Sequence, residues 1–178
     1  VVVEDSFAPL LRWVLSWWGS EEKRLVLALD ASTLKDVFTI LAVSVVYRGC
    51  AIPVAWVILS GNQKGEWKGQ WLRLLGRLQG CVPADWTVLV LSDRGLYARW
   101  LYRKIVKLHW HPFMRINRQG YYRLKGKREY MPLSSLLTEG EEQWQGEVFC
   151  FKEEARLRCT LLARWDKGHK EPWLIVTD

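Results

Sequence analysis

The sequence predicts an α/β protein built on a mixed sheet, and three observations point there. Apolar runs rich in β-branched residues recur in the order three strands, helix, strand, helix, strand. The two intervening segments repeat their apolar residues at helical spacing instead. Past Asn117 the texture changes to short strand-like stretches separated by Gly, Pro and acidic clusters. Helices that alternate with strands pack on a mixed sheet, and the later stretch reads as a β-rich appendage. A length of 178 residues suits one domain with a decorated core, or a domain plus a subdomain. The boundary falls at the change of texture, giving 1–118 as core and 119–178 as β-rich insertion.

The elements follow from local punctuation. Residues 7–18 have helical length and stop at Gly19, a good C-terminal signal. Residues 25–29 form a short apolar strand ending at Asp30. From Val37 to Ser60 nearly everything is apolar, long enough to cross a bilayer as one helix. Arg48 and Gly49 stand in its middle, where a charge is costly in lipid but natural in a turn. Two antiparallel strands, 37–47 and 51–59, are therefore expected, with Pro53 near a strand start or an edge. In 66–78, Trp67, Trp71, Leu74, Leu75 and Leu78 make one apolar face, with Lys68, Arg73 and Arg77 elsewhere. Residues 87–91 read as a strand, 96–107 as a helix with Leu96, Leu101, Ile105 and Leu108 inward, and 110–116 as a returning strand. Beyond these, 121–124, 148–151, 157–163 and 173–176 are strand-like.

Composition narrows the partners. Hydrophobic residues are 49% and charged ones 25%, which fits a folded chain and argues against disorder. The 26 Lys+Arg against 19 Asp+Glu leave +7, a balance suited to polyanions such as nucleic acid or anionic lipid. Cys50, Cys81, Cys150 and Cys159 are widely spaced with no CxxC pair, so no zinc knuckle is written and a reducing compartment is the default. The start carries no basic region leading to an apolar run and cleavage site, and it reads like the middle of a longer chain.

The chemical signal lies in Asp30 and Asp93, each following an apolar strand. Ligand sites gather at strand carboxyl ends, and neighbouring strands bring two such side chains to one point. Paired carboxylates repel unless a proton or a hard cation stands between them, and Mg²⁺ is the usual oxygen-loving ion. Taken singly, each Asp also suits a cap of the turn that follows, Ala31-Ser32-Thr33 or Arg94-Gly95. Their coincidence in this strand order favours a site.

Leu-Ala-Leu-Asp30, the strand Arg48-Gly-Cys-Ala-Ile-Pro-Val-Ala-Trp56, a tryptophan-bearing helix and Val-Leu-Ser-Asp93-Arg-Gly-Leu-Tyr97 together resemble the DDE transposases of bacterial insertion sequences. The similar group carries a β-rich insertion in a ribonuclease H-like core. The likeness covers about Leu25 to Asn117 by motif, and the rest by position and texture. It implies a ribonuclease H-like fold, incomplete at the C-terminus, and a two-metal phosphoryl transfer in which Asp30 and Asp93 hold Mg²⁺ or Mn²⁺. It also implies transposon-end and target DNA as partners, a homodimer on that DNA, and a bacterial, nucleoid-associated setting without membrane. The family's third acid, a Glu on a later helix, has no match, so this polypeptide alone is expected to be inactive. Glu139, Glu141, Glu142, Glu147, Glu153 and Glu154 all lie in the appendage, and none is promoted.

Secondary candidates surround the acids. Tyr121, Tyr122, Arg123, Lys125, Lys127, Arg128 and Tyr130 interleave aromatics with cations, suited to phosphate contact and stacking, or to a plain exposed hairpin. Arg94 either touches phosphate or balances Asp93, while Arg115 and Asn117 end the last core strand near the expected site. His109 and His111 are expected to share a strand face and serve packing. Two other functions stay open. One is a DNA-binding protein derived from a transposase but without chemistry. The other is a haloacid dehalogenase-type phosphotransferase, suggested by Asp30-Ala31-Ser32-Thr33. There Ser32 stands where a second Asp is wanted, and parallel strands should follow.

Overall fold

The apolar stretch from Val37 to Ser60 folds back on itself at Arg48 and Gly49. The computed structural model describes residues 2–19, 21–35, 37–61, 67–138, 142–151 and 156–178. It opens with a 3-10 turn and helix α1 (Phe7–Leu15), then an antiparallel meander of β1 (Arg24–Leu34), β2 (Phe38–Tyr47) and β3 (Cys50–Ser60). Arg48 and Gly49 take φ of 49° and 83°, the left-handed pair that a two-residue type I′ hairpin turn requires. Pro53 lies on β3, the outermost strand, beside a bulge, so its missing N–H breaks no central ladder.

Helix α2 (Trp67–Leu78) leads to β4 (Thr87–Ser92), and α3 (Arg99–Lys107) to β5 (His111–Arg115). Each pair of parallel neighbours needs such a crossover, and β1, β4 and β5 are parallel. Strands β6 (Tyr121–Leu124), β7 (Met131–Pro132), β8 (Glu142–Cys150), β9 (Leu157–Trp165) and β10 (Trp173–Thr177) follow. All ten join one sheet in the order β3-β2-β1-β4-β5-β10-β9-β8-β6-β7. Strand β10 runs antiparallel to β5, pairing Ile175 with Arg115, so the ladder passes unbroken from the early strands to the late ones.

The sheet has two unlike faces. Leu25, Leu27 and Leu29 of β1, Leu41, Val43 and Val45 of β2, and Val88 and Val90 of β4 are buried with Phe7, Trp71, Leu75 and Ile105 of the helices. The alternate residues Val26, Ala28, Ala42, Leu89 and Leu91 are only half-buried, as the two-residue period of a strand demands. In α2 the expected face is inside: Trp71, Leu74, Leu75 and Leu78 are buried, and Arg73 and Arg77 reach Glu4 of the opening turn at 3.2 and 3.4 Å.

Several boundaries differ from expectation. Helix α1 ends at Leu15, because Trp17 and Trp18 turn back to pack their rings on Tyr47. Helix α3 begins at Arg99, since Asp93 to Leu96 is occupied by a turn. His109 takes a left-handed φ of 61° ahead of β5 and therefore shares no strand face with His111, which instead faces Asp178 at 3.0 Å. Strand β1 runs on through Leu34, so Asp30 lies inside it and not at its end. Among the described residues, no helix is long and apolar enough to cross a membrane.

Candidate active site

The parallel ladder between β1 and β4 pairs Leu25 with Val88 and continues in step to Leu29 and Ser92. The next position along both chains is Asp30 and Asp93. Neighbouring strands lie about 4.8 Å apart, so the two backbones are close where these residues begin. Leu29 and Ser92 are buried; alternation turns Asp30 to the other face of β1, Asp93 begins the turn after β4, and both are exposed. Asp30 marks the end of the β1–β4 ladder, although its own strand continues against β2 alone.

Each acid is held by a near neighbour. Asp30 Oδ2 accepts a hydrogen bond from the Ser32 hydroxyl at 2.5 Å, two residues along the same strand face. Asp93 Oδ1 accepts one from the Gly95 N–H at 2.9 Å. This is the turn cap that the sequence allowed for Asp93. No such cap forms at Asp30, whose neighbours 31–34 are extended. The haloacid dehalogenase alternative needs Asp30 in a loop followed by parallel strands, whereas Asp30 is within a strand and β2 is antiparallel to it.

Register extends the row. Ser92 pairs with Met114, so Arg115 follows that pair on β5 as Asp93 follows it after β4, and Arg115 in turn pairs with Ile175. The Arg115 guanidinium carbon lies 4.0 Å from the centroid of the Trp173 ring, a cation–π contact. Its Nε is buried with no hydrogen-bond acceptor among the described residues. Arg94 forms an ion pair with Glu171, so of the two roles expected for it, charge balance is the one visible, with Glu171 as the partner in place of Asp93.

Asn117 donates from Nδ2 to the Tyr97 hydroxyl at 3.2 Å. Both line a pocket of about 370 Å³ with Arg99, Tyr121 and Phe151. Tyr97 and Phe151 stack with their planes 19° apart, and Arg99 lies 5.7 Å above the Phe151 ring. Tyr97, Arg99, Phe151 and Trp173 were not singled out from the sequence. Trp173 and Phe151 meet their partners only through long-range pairing, which leaves no local signal.

The aromatic and basic segment is more committed than its composition suggests. Tyr122 is buried against Trp144, with burial raising its hydroxyl pKa, so it is not a stacking surface for DNA. Arg123 lies between Phe149 and Tyr130 and donates to the Lys127 carbonyl. Lys125 and Arg158 both bind Glu147, and those hydrogen bonds hold its carboxyl below the usual range. Tyr121, Lys127 and Arg128 remain exposed. Glu142 bonds Thr138, while Glu139, Glu141, Glu153 and Glu154 lie outside the described residues.

Asp30 and Asp93 offer hard oxygen donors in solvent. Among the described residues each keeps one carboxylate oxygen without a hydrogen bond, a donor set that fits Mg²⁺ or Mn²⁺. No group of three His, Cys, Asp or Glu able to hold a metal occurs among the described residues. No family model matches the chain, and no curated protein is significantly similar to it.

Proposed function

We propose that this chain carries the first two acids of a DDE-type transposase core, whose reaction is metal-dependent cleavage and joining of DNA strands at the ends of an insertion sequence. One observation carries the reading: Asp30 and Asp93 each directly follow the last registered pair, Leu29 and Ser92, of adjacent parallel strands, and both are exposed. The order β3-β2-β1-β4-β5 with β1, β4 and β5 parallel supports a ribonuclease H-like core, and β6 to β10 correspond to the β-rich insertion. Asp30 and Asp93 would hold Mg²⁺ or Mn²⁺. A bound ion of this kind makes water or a 3′-hydroxyl more acidic and neutralises charge on a leaving oxygen. The Ser32 hydroxyl and the Gly95 N–H fix the two carboxylates, and Arg115 places a cation one strand away for phosphate.

A second reading, DNA binding without chemistry, is favoured by the absence of a third acid grouped with the pair among the described residues. Manganese titration followed by electron paramagnetic resonance separates the two. Wild-type chain should bind Mn²⁺, and Asp30→Asn and Asp93→Asn should each weaken it at least roughly tenfold while keeping the native circular dichroism spectrum. Equal binding by the variants, or none by the wild type, removes the metal site and leaves the binder.

A further inference from the structure

We propose that Cys150 and Cys159 form a reversible dithiol, a modification site that a hydroperoxide closes to a disulfide across β8 and β9. Strand register brings the two together. Cys150 stands opposite Leu157, and Cys159 opposite Val148. All four side chains are buried on one face of the ladder, so the cysteines are diagonal neighbours inside the protein. The Cys150 thiol donates a hydrogen bond to the Cys159 sulfur. That bond, against the opposing effect of burial and with help from the Cys150 N–H, holds the Cys159 thiol below its ordinary range. Cys150 is pushed up, first by the same bond and then by burial. Cys159 is therefore the thiolate, and Cys150 the thiol that resolves it.

A buried pair reacts only if an oxidant can reach it. Cys150 forms part of the wall of the pocket of about 370 Å³ that also holds Tyr97, Arg99 and Phe151. The exposed Tyr121 shares that wall, so the pocket reaches solvent. Its volume is many times the roughly 30 Å³ of a water molecule, ample for hydrogen peroxide. The Cys159 thiolate takes one peroxide oxygen as the O–O bond breaks, and the hydroxide released gains a proton and leaves as water. The Cys150 sulfur then attacks the sulfenic acid. The S–S bond forms, the S–O bond breaks, and the oxygen departs as a second water with the Cys150 proton. Two thiols and one peroxide give one disulfide and two waters, with two electrons passing from sulfur to oxygen.

Geometry makes this bond a labile one. Diagonal neighbours have Cα atoms roughly 7–8 Å apart, wider than the roughly 4.4–6.8 Å of a relaxed bridge. Closure therefore draws β8 toward β9 and leaves strain that favours reduction. The movement falls at the end of β8, where Phe151 holds a left-handed φ of 63°, a costly conformation for a residue with a Cβ. Its ring stacks on Tyr97 in the pocket wall, so oxidation reshapes the pocket. A reducing compartment suits the device, because disulfides there are transient and report redox state.

The test is peptide mapping of the 178-residue chain carrying Cys50→Ser, which stops the exposed thiol from joining two molecules. The native protein is treated with a small excess of hydrogen peroxide, then unfolded and alkylated with N-ethylmaleimide. A Cys150–Cys159 linked peptide should appear, Cys81 should remain alkylatable, and dithiothreitol should reverse the link. The oxidised chain should melt about 3–6 °C higher than the reduced one, and Cys159→Ala should lose both the link and the shift. Should that variant fail to fold, the mapping still decides, since it needs neither cysteine of the pair replaced. Cys150 and Cys159 that both stay alkylatable, a link that forms only in urea, a link to Cys81, or a bridged chain with unchanged Tm would each overturn the proposal.

Discussion

Gly146 on β8 lies beneath the indole of Trp144, two residues earlier on the same strand face. A Cβ at this position would stand 2.7 Å from Cη2 and 2.8 Å from Cζ2 of that ring, well inside the roughly 3.5–4.0 Å of carbon contact. The ring has little room to yield, because it packs on the buried Tyr122 with centroids 6.1 Å apart. Overpacking of this kind costs about 1–3 kcal/mol, and alanine recovers about 0.5–1 kcal/mol of the entropy that glycine loses in a strand. Gly146→Ala should therefore lose roughly 1 kcal/mol, or about 3 °C in Tm for a chain of this size. In a Trp144→Ala background the obstruction is gone, and the same change should gain about 0.5 kcal/mol. Urea denaturation of the four chains reads this reversal of sign. A neutral Gly146→Ala, or a loss that persists without the indole, would refute the packing argument.

Other substitutions probe the helices and the charges. Gly76→Ala in α2 meets open space at an exposed helical position and should raise stability by about 0.5–1 kcal/mol in thermal melts. The Tyr102 hydroxyl donates to the Thr177 carbonyl at 3.0 Å, and burial first, then the neighbouring Cys159 and Asp178, pushes its pKa upward. Its folded pKa thus exceeds its unfolded one, so its contribution is complete below the ordinary tyrosine range and declines as pH rises through the folded value. Tyr102→Phe should cost about 1 kcal/mol at neutral pH and lack this alkaline decline in denaturation midpoints. Glu147 has the opposite sign, since Lys125 and Arg158 depress its pKa. Its contribution is present above the usual carboxylate range and lost as pH falls through the folded value, so Glu147→Gln and wild type should converge in urea midpoint under acid.

Much of the core could be read from periodicity, because its helices and meander obey local rules. The turn at Arg48 and Gly49, the edge position of Pro53 and the inward face of α2 are of this kind. Asp30 shows where such rules stop. The apolar run breaks there, which reads as a strand end, yet Ser32 and Thr33 tolerate extended backbone and β2 supplies partners for them. Nothing in the local pattern reveals that Leu29 and Ser92, just ahead of the two acids, share register, since that depends on how α2 returns the chain to the sheet. Composition misled at Tyr122, where the two-residue period decides: Tyr121 is out and Tyr122 in. The contact of Arg115 with Trp173 joins strands far apart in sequence, beyond the reach of any window.

Strand β10 closes the flank of β5, and the ribosome makes it last of the ten. Between the two events a growing chain displays the bare rim of β5, an invitation to pair with a neighbouring nascent polypeptide. The rim is short, His111–Arg115, and it contains Pro112, which has no N–H to offer, and the charge of Arg115. Both traits discourage foreign strands. The charge of Arg115 thus also guards this rim while the chain is being made.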